Sequence, residues 1–99
     1  MELEKLREEI DIVDNKMCKL FEERMNIVNK IGELKRNNNE PINNAARERQ
    51  VLTRISKALP PHMEDFGRSL YRSIFDISKA YESMYKEKDS PLYNDLETI

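Results

Sequence analysis

Apolar residues recur at alternating intervals of three and four along the first third of the chain. Between Glu2 and Arg36 they stand at Leu3, Leu6, Ile10, Val13, Met17, Leu20, Ile27, Ile31 and Leu34. Because an α-helix turns once every 3.6 residues, this spacing puts them on one face and predicts a single long helix with one buried seam. Acidic residues in the first turn and basic residues in the last suit the helix dipole at those ends.

One charged residue interrupts this seam. After Leu20 the next apolar residue is due at position 24, where the chain has Arg24, and the register then resumes at Ile27. A slip in register would have moved all the later positions, so the arginine stands in the stripe itself. A cation at a core position of a regular helix is the first indication of a binding site.

A loop and a second helix follow. The three asparagines at 37–39 can adopt left-handed conformations, and Pro41 disfavours helix at Glu40, so residues 37–42 are predicted to form a loop. Asn43 or Asn44 then caps a helix over about 44–58. Its stripe again has spacings of three and four, and one of its members is charged: Ala45, Glu48, Leu52, Ile55 and Leu59.

A third helix is predicted from about Pro61 to Lys86, because proline is tolerated in a first helical turn. Its seam consists of Met63, Phe66, Leu70, Ile74, Ile77, Tyr81 and Met84. A stripe beside that seam holds Tyr71, Phe75, Ser78, Glu82 and Tyr85. Ser78 and Glu82 are four residues apart, so they face one way among aromatic neighbours.

Charged residues on the apolar stripes of three helices point to a ligand site. Each of Arg24, Glu48 and Glu82 could by itself be structural, by snorkelling, by pairing or by setting the register of a bundle. Together they fit a site that a helical bundle builds from facing helices. Lys35 lies eleven residues after Arg24, within about 20° of the same face and roughly 16 Å along the axis, so the two could hold a small anion between them.

Arg7 stands apart from these residues. It precedes Arg24 by seventeen residues, or roughly 25 Å of helix, so it cannot reach the same ligand from its own helix. A second copy of the first helix, packed antiparallel, could bring it there. A site that uses both arginines would therefore have to form between two subunits.

The composition agrees with an all-α fold. The 99 residues include 36% charged residues, two glycines and no tryptophan, which suits amphipathic helices in a single domain. We expect residues 1–88 to form the helical domain and residues 89–99 a C-terminal tail. A chain this short buries a small share of its surface, which favours a homodimer.

Charge and cysteine content narrow the possible partners. The net charge is −2, from 17 basic and 19 acidic residues that are interspersed, so no nucleic-acid partner is expected. The single cysteine, Cys18, excludes an intrachain disulfide and fits a reducing compartment. The chain shows no membrane-spanning run and no signal-peptide pattern at its start, so we expect a cytoplasmic protein without a membrane partner.

The residues singled out above match a known family. The pattern consists of Leu6-Arg7-Glu8-Glu9-Ile10-Asp11, Asp14, Leu20-Phe21-Glu22-Glu23-Arg24, Ile31-Gly32, Lys35, Pro41-Ile42 and Arg47-Glu48-Arg49. It resembles the all-helical chorismate mutases over about residues 3 to 85. The resemblance implies a three-helix chain whose long first helices interlock in a dimer, with each site completed by an arginine of the partner chain.

The resemblance also implies a reaction and a set of site residues. The reaction is the Claisen rearrangement of chorismate to prephenate, without cofactor, metal or covalent intermediate. Arg24 and the partner's Arg7 would bind the substrate carboxylates, and Lys35 would reach the ether oxygen and a carboxylate. Glu48 and the backbone near Asn44 would hold the ring hydroxyl. Arg47 would support the pocket, and Ser78 would lie close to a carboxylate.

Glu82 occupies the family position that faces the ether oxygen opposite Lys35, where other members have glutamine or glutamate. A carboxylate there would repel the charge that develops on the oxygen. We therefore expect Glu82 to act protonated, with its pKa raised by burial among Phe75 and Tyr85.

Two alternative functions remain open from the sequence. An isochorismate pyruvate-lyase of the same fold would use a similar cationic pocket but eliminate pyruvate. A non-enzymatic helical dimerisation module would use Arg24 only to set the register, but it would leave Glu48 and Glu82 unexplained.

Overall fold

The computed structural model describes residues 1–88 and consists of three α-helices. Helix α1 spans Glu2–Asn37, α2 spans Ala45–Ala58 and α3 spans Glu64–Lys88. A single 3-10 turn, Pro61–Met63, precedes α3. The predicted all-α, three-helix chain is confirmed, whereas the tail at residues 89–99 lies outside the described residues.

The helix ends follow the local signals closely. Asn39 has a φ of 57°, the left-handed conformation predicted for the asparagine loop. The backbone N–H of Glu40 donates to the Lys35 carbonyl at 2.8 Å. Asn44 is the N-cap of α2, and its side chain accepts a hydrogen bond from the Arg47 N–H at 3.0 Å, which satisfies a donor that the first turn leaves free.

The start of the third helix differs from the prediction. Its first turn, Pro61–Met63, is 3-10 rather than α, and the α-helix begins at Glu64. The Met63 N–H donates to the Pro60 carbonyl at 2.9 Å, which is the tighter bonding of a 3-10 turn. Such turns are frequent at α-helix ends, and two successive prolines remove the donors that a longer α-turn would use.

Helix α3 packs against both other helices, and this packing selects the buried faces. On α1 the buried residues are Met25, Val28 and Gly32, all in its C-terminal third. The predicted seam is exposed within the chain, from Leu3 at 54% to Leu34 at 62%. Within one chain, α3 therefore contacts a neighbouring stripe of α1 and leaves the predicted seam exposed.

On α3, too, the buried residues belong to the stripe beside the predicted seam. Phe75, Ser78 and Glu82 of the flanking stripe are buried, whereas the predicted seam leaves Phe66 77% exposed and Leu70 50% exposed. The flanking stripe is the one that faces α1 and α2. The serine and the glutamate are therefore buried polar residues at the place where the helices meet. The predicted contact of Glu82 with Tyr85 lies outside the described side chains.

Gly67 permits the close approach of α2 and α3. A Cβ built at this position would overlap with Leu59 Cδ1 and would lie 3.4 Å from Ile55 Cγ2. The side chains of Ile55, in the last turn of α2, and of Leu59, which follows it, thus occupy the space that a larger residue at 67 would need. This contact joins the C-terminal end of α2 to the start of α3.

Within residues 1–88, none of the helices is both long enough and apolar enough to span a membrane.

Candidate active site

A cavity of about 520 Å³ lies between the three helices. Every predicted site residue except Arg7 lines it: Arg24, Lys35, Asn44, Arg47, Glu48, Ser78 and Glu82. Its apolar wall includes one buried core residue from each helix: Val28, Val51 and Phe75. Tertiary packing therefore brings together residues that are distant in the sequence, such as Arg24 and Glu82, which are 58 positions apart.

Arg24 is held in the cavity by α3. Its Nη1 donates to Ser78 Oγ at 2.7 Å, and Ser78 Oγ donates in turn to the Ile74 carbonyl at 2.7 Å. The hydroxyl therefore acts as acceptor and donor at once, and this fixes its rotamer. Because a guanidinium has five N–H donors, this bond leaves the others able to bind a carboxylate in a bidentate manner.

Lys35 is held by the loop between α1 and α2. Its Nζ donates to the Ile42 carbonyl at 2.9 Å, and Ile42 itself lines the cavity. An ammonium group has three donors, so the bond to Ile42 orients the side chain and leaves others for a ligand. The loop thus positions a second cation in the cavity wall, eleven residues after Arg24 on α1.

Glu82 is the buried acid of the site. The residue is only 7% exposed, and its Oε2 has no hydrogen-bond partner among the described residues. Burial raises the pKa of this carboxyl, against the smaller opposing effects of the positive charges of Lys35 and Arg36. A buried acceptor without a partner costs free energy, so the position favours a protonated acid that can donate to a ligand.

The first turn of α2 contributes its polar groups to another part of the wall. Asn44 caps the helix, and Arg47 and Glu48 follow in the first turn. Glu48 Oε2 lies 3.2 Å from Lys79 Nζ of α3. The half-buried Glu48 predicted from the stripe of α2 is therefore paired across the two helices.

Arg7 does not reach this cavity. It is exposed on the first turns of α1, as expected from its separation from Arg24 along one rigid helix. Within one chain the structure thus brings together the whole predicted set except the arginine that was expected from a partner.

Sequence reasoning missed two cations of the cavity wall, Lys79 and Arg54. Lys79 directly follows Ser78, and Arg54 lies three residues after Val51 on α2. Both residues lie beside the apolar stripes of their helices, so the stripe pattern gives no signal for them. Lys79 is within one turn of Ser78 and Glu82 and could have been predicted from them, whereas Arg54 is six residues from Glu48 and has no such signal.

The charge of the cavity favours an anionic ligand. Its wall has five basic side chains, which are Arg24, Lys35, Arg47, Arg54 and Lys79, against two acidic ones, Glu48 and Glu82. The raised pKa of Glu82 lowers the negative charge further. The whole chain has a net charge of −2, so this local excess of positive charge is a property of the site.

Comparison with known proteins identifies relatives over most of the chain. The family model described as "Chorismate mutase type II" matches residues 6–83. A chorismate mutase of Methanocaldococcus jannaschii is 32% identical over 88 residues, which cover 87% of this chain and 89% of that protein. No solved structure gives a significant match.

A second relative is a longer protein. The bifunctional chorismate mutase/prephenate dehydratase of Aquifex aeolicus is 31% identical over 86 residues, which cover 87% of this chain and 21% of that protein. The chain therefore spans about a fifth of this relative and nearly the whole of the Methanocaldococcus protein.

Proposed function

The chain belongs to the type II chorismate mutase family, and from this premise we propose that it rearranges chorismate to prephenate as an isomerase. The observation that supports this most strongly is the cavity in which Arg24, Lys35 and the buried Glu82 meet. Chorismate carries two carboxylates, a ring hydroxyl and an ether oxygen, and each finds a matching group among the residues of the wall.

The reaction requires the protein to position the substrate and to stabilise the charge of its transition state. One carbon–oxygen bond breaks and one carbon–carbon bond forms within the same molecule, so no atom or electron pair is exchanged with the protein. The ether oxygen gains negative charge in the transition state. The site must hold the chair-like conformer and place hydrogen-bond donors at that oxygen.

Arg24 and Lys35 are the cations that suit this task. Arg24, held by Ser78, would bind a substrate carboxylate through its remaining donors. Lys35, held by the Ile42 carbonyl, would reach the ether oxygen and a carboxylate. Because both side chains are oriented before the ligand arrives, little conformational entropy is lost on binding.

Glu82 would donate the second hydrogen bond to the ether oxygen. Its burial and raised pKa favour the protonated form, which is the form that can act as a donor. Glu48 and the backbone near Asn44 would hold the ring hydroxyl, and Arg47 would support the substrate from the first turn of α2. Ser78, which holds Arg24, would lie close to a carboxylate.

An assay of the purified chain with chorismate and, separately, with isochorismate tests this function. We expect chorismate to be converted to prephenate, and Arg24→Ala to lower kcat/KM by about 100- to 1000-fold, the usual cost of losing a key electrostatic donor. Arg49→Ala, which removes an exposed arginine of α2 outside the cavity, should leave the activity unchanged.

Two outcomes would contradict the proposal. Pyruvate released from isochorismate, with no prephenate from chorismate, would identify a pyruvate-lyase. Absence of both reactions, together with a more stable Arg24→Leu variant, would identify the non-enzymatic dimerisation module. Both relatives are named as chorismate mutases, which favours neither alternative.

We also propose that the chain works as a homodimer built on α1. Its predicted seam is exposed along the whole helix, including Leu6 at 52%, Ile10 at 58% and Met17 at 53%. Exposed apolar surface of this extent is typical of an interface. An antiparallel second copy of α1 would cover it and bring the partner subunit's Arg7 to the cavity, and sedimentation should then give twice the chain mass of 11.8 kDa.

The product of the reaction indicates its metabolic role. Prephenate is the substrate named for the second activity of the Aquifex relative, so we propose a role in aromatic amino-acid biosynthesis. A cytoplasmic location suits Cys18, which is a free and exposed thiol.

A further inference from the structure

An ion pair between Glu48 of α2 and Lys79 of α3 lies in the wall of the cavity. Lys79 Nζ lies 3.2 Å from Glu48 Oε2, and the side chains are 35% and 29% exposed. Both residues line the cavity. The pair is therefore partly shielded from solvent, and it joins two helices at the place where a ligand would bind.

Lys79 has a second acidic neighbour, but a weaker one. Asp76 Oδ1 lies 3.9 Å from Lys79 Nζ, one turn earlier on α3, and the side chain of Asp76 is 81% exposed. Exposed pairs of this kind contribute little, because water and salt screen them. Glu48 is therefore the partner that determines where the ammonium group lies.

The pairing restrains a flexible carboxylate. A glutamate in the first turn of a helix has several accessible rotamers, and it must adopt one of them to bind a hydroxyl group. The contact with Lys79 uses Oε2, which leaves Oε1 to accept a hydrogen bond. Because the lysine comes from α3, it also ties Glu48 to the helix that carries Ser78 and Glu82.

We propose that Lys79 is a positioning residue, which acts through Glu48 to fix the carboxylate that receives the ring hydroxyl of the substrate. This inference rests on the proposed function, since it assigns a role within the same site. This role of Lys79 differs from a direct substrate contact, because its ammonium group already neutralises the carboxylate of Glu48 beside it. The surplus of positive charge that attracts the substrate comes from the arginines and Lys35.

A double-mutant cycle tests this role. Lys79→Met keeps the length of the side chain and removes its charge, and we expect KM to rise by about 10- to 100-fold, the usual effect of losing a hydrogen bond to a charged group. The value of kcat should change little, because the hydroxyl is held alike in substrate and transition state. In a Glu48→Gln background, the same Lys79 substitution should add no further loss.

Three matched variants separate this role from others. Lys79→Arg should recover most of the affinity, because the guanidinium keeps the charge and the donors. Asp76→Asn, which removes the weaker partner, should behave like the unmodified chain. Lys57→Met removes the same charge from an exposed position in the last turn of α2 and should also have no effect on KM.

The outcomes are distinguishable. Independent, multiplicative losses from the Lys79 and Glu48 substitutions would overturn the inference and identify Lys79 as a direct substrate ligand. An unchanged KM in Lys79→Met, with an active unmodified chain, would also overturn it while leaving the proposed function intact. An inactive unmodified chain would overturn the proposed function itself. Thermal unfolding of each variant reports any loss of fold, and Lys79→Gln replaces a methionine variant that does not fold.

Discussion

At the scale of single residues, Glu82 shows how burial determines chemistry. The residue is 7% exposed, and desolvation raises the pKa of its carboxyl group even though Lys35 and Arg36 oppose the shift. An ordinary glutamate would be charged at neutral pH and would repel the developing charge of the ether oxygen. The raised pKa extends the pH range over which the acid can donate a hydrogen bond.

The activity should therefore depend on the protonation of Glu82. We expect kcat to fall as pH rises through its raised pKa, because the carboxylate that forms there cannot donate. Glu82→Gln supplies a donor at every pH and should flatten this limb of the profile. The matched control Glu33→Gln changes an exposed glutamate of α1 outside the cavity and should retain the limb. A profile that is the same in Glu82→Gln and the unmodified chain would contradict the assignment.

Stability should report the same ionisation without substrate. The native state binds the proton of Glu82 more tightly than the unfolded state, so the free energy of unfolding falls as pH rises from the ordinary value of 4.5 through the raised pKa. In Glu82→Gln this decline should disappear, and the variant should gain stability over the unmodified chain at neutral pH. Urea unfolding at several pH values measures both effects.

At the scale of the elements, the two glycines distinguish close packing from ordinary contact. At Gly67 an added Cβ would overlap with Leu59 Cδ1 of the segment that follows α2. At Gly32 an added Cβ would meet Glu82 Cγ at 3.5 Å, which is ordinary van der Waals contact. A methyl group therefore fits at position 32, whereas at position 67 it would force Leu59 to shift.

The same substitution at these two positions should have opposite effects. Gly67→Ala gains about 1 kcal/mol of helix propensity but overpacks the α2–α3 contact at about 1–3 kcal/mol, so we expect a net loss of stability. Gly32→Ala keeps the gain and fits the space, so the free energy of unfolding should rise by up to about 1 kcal/mol. Urea unfolding at one protein concentration compares them, and a stabilised Gly67→Ala would contradict this account of the packing.

At the scale of the whole molecule, α1 has two surfaces with different tasks. Its C-terminal third packs on α3 through Met25, Val28 and Gly32, and the seam residues Ile27 and Ile31 line the cavity. The earlier part of the apolar seam, from Leu3 to Leu20, is exposed. The seam begins near Arg7, which lies outside the cavity of its own chain. In a dimer, α1 would thus line the site of its own chain and contribute Arg7 to the site of the partner chain.

Mixing two inactive variants tests this arrangement. When Arg7→Ala and Arg24→Ala chains are unfolded together and refolded in equal amounts, half of the dimers are mixed and each has one intact site. About a quarter of all sites should then be active. The matched mixture of Arg24→Ala with Lys35→Ala should recover nothing, because both residues line the cavity of one chain. Recovery in neither mixture, or a monomeric and fully active protein, would contradict the dimeric site.

The sequence by itself determined the helices and the charged exceptions. Spacings of three and four, the asparagine loop, the paired prolines and the Asn44 cap are local signals, and they placed α1 and α2 within one residue of their observed ends. Arg24, Glu48 and Glu82 stood out because a charged residue on an apolar stripe is visible without knowledge of the partner helix. Helix geometry paired Lys35 with Arg24 and put Ser78 on the face of Glu82, and the family pattern then added Arg47 and the roles of Asn44 and Ser78.

Only the tertiary structure decided which face of each helix is buried within the chain. Helical periodicity fixes which residues share a face, but α1 and α3 each have two neighbouring stripes, and the choice depends on the helices packed against them. That choice buried Phe75, Ser78 and Glu82 and exposed the seam of α1. It also created the Glu48–Lys79 pair, because a contact between distant residues depends on how two helices pack, which the spacing along either helix does not contain.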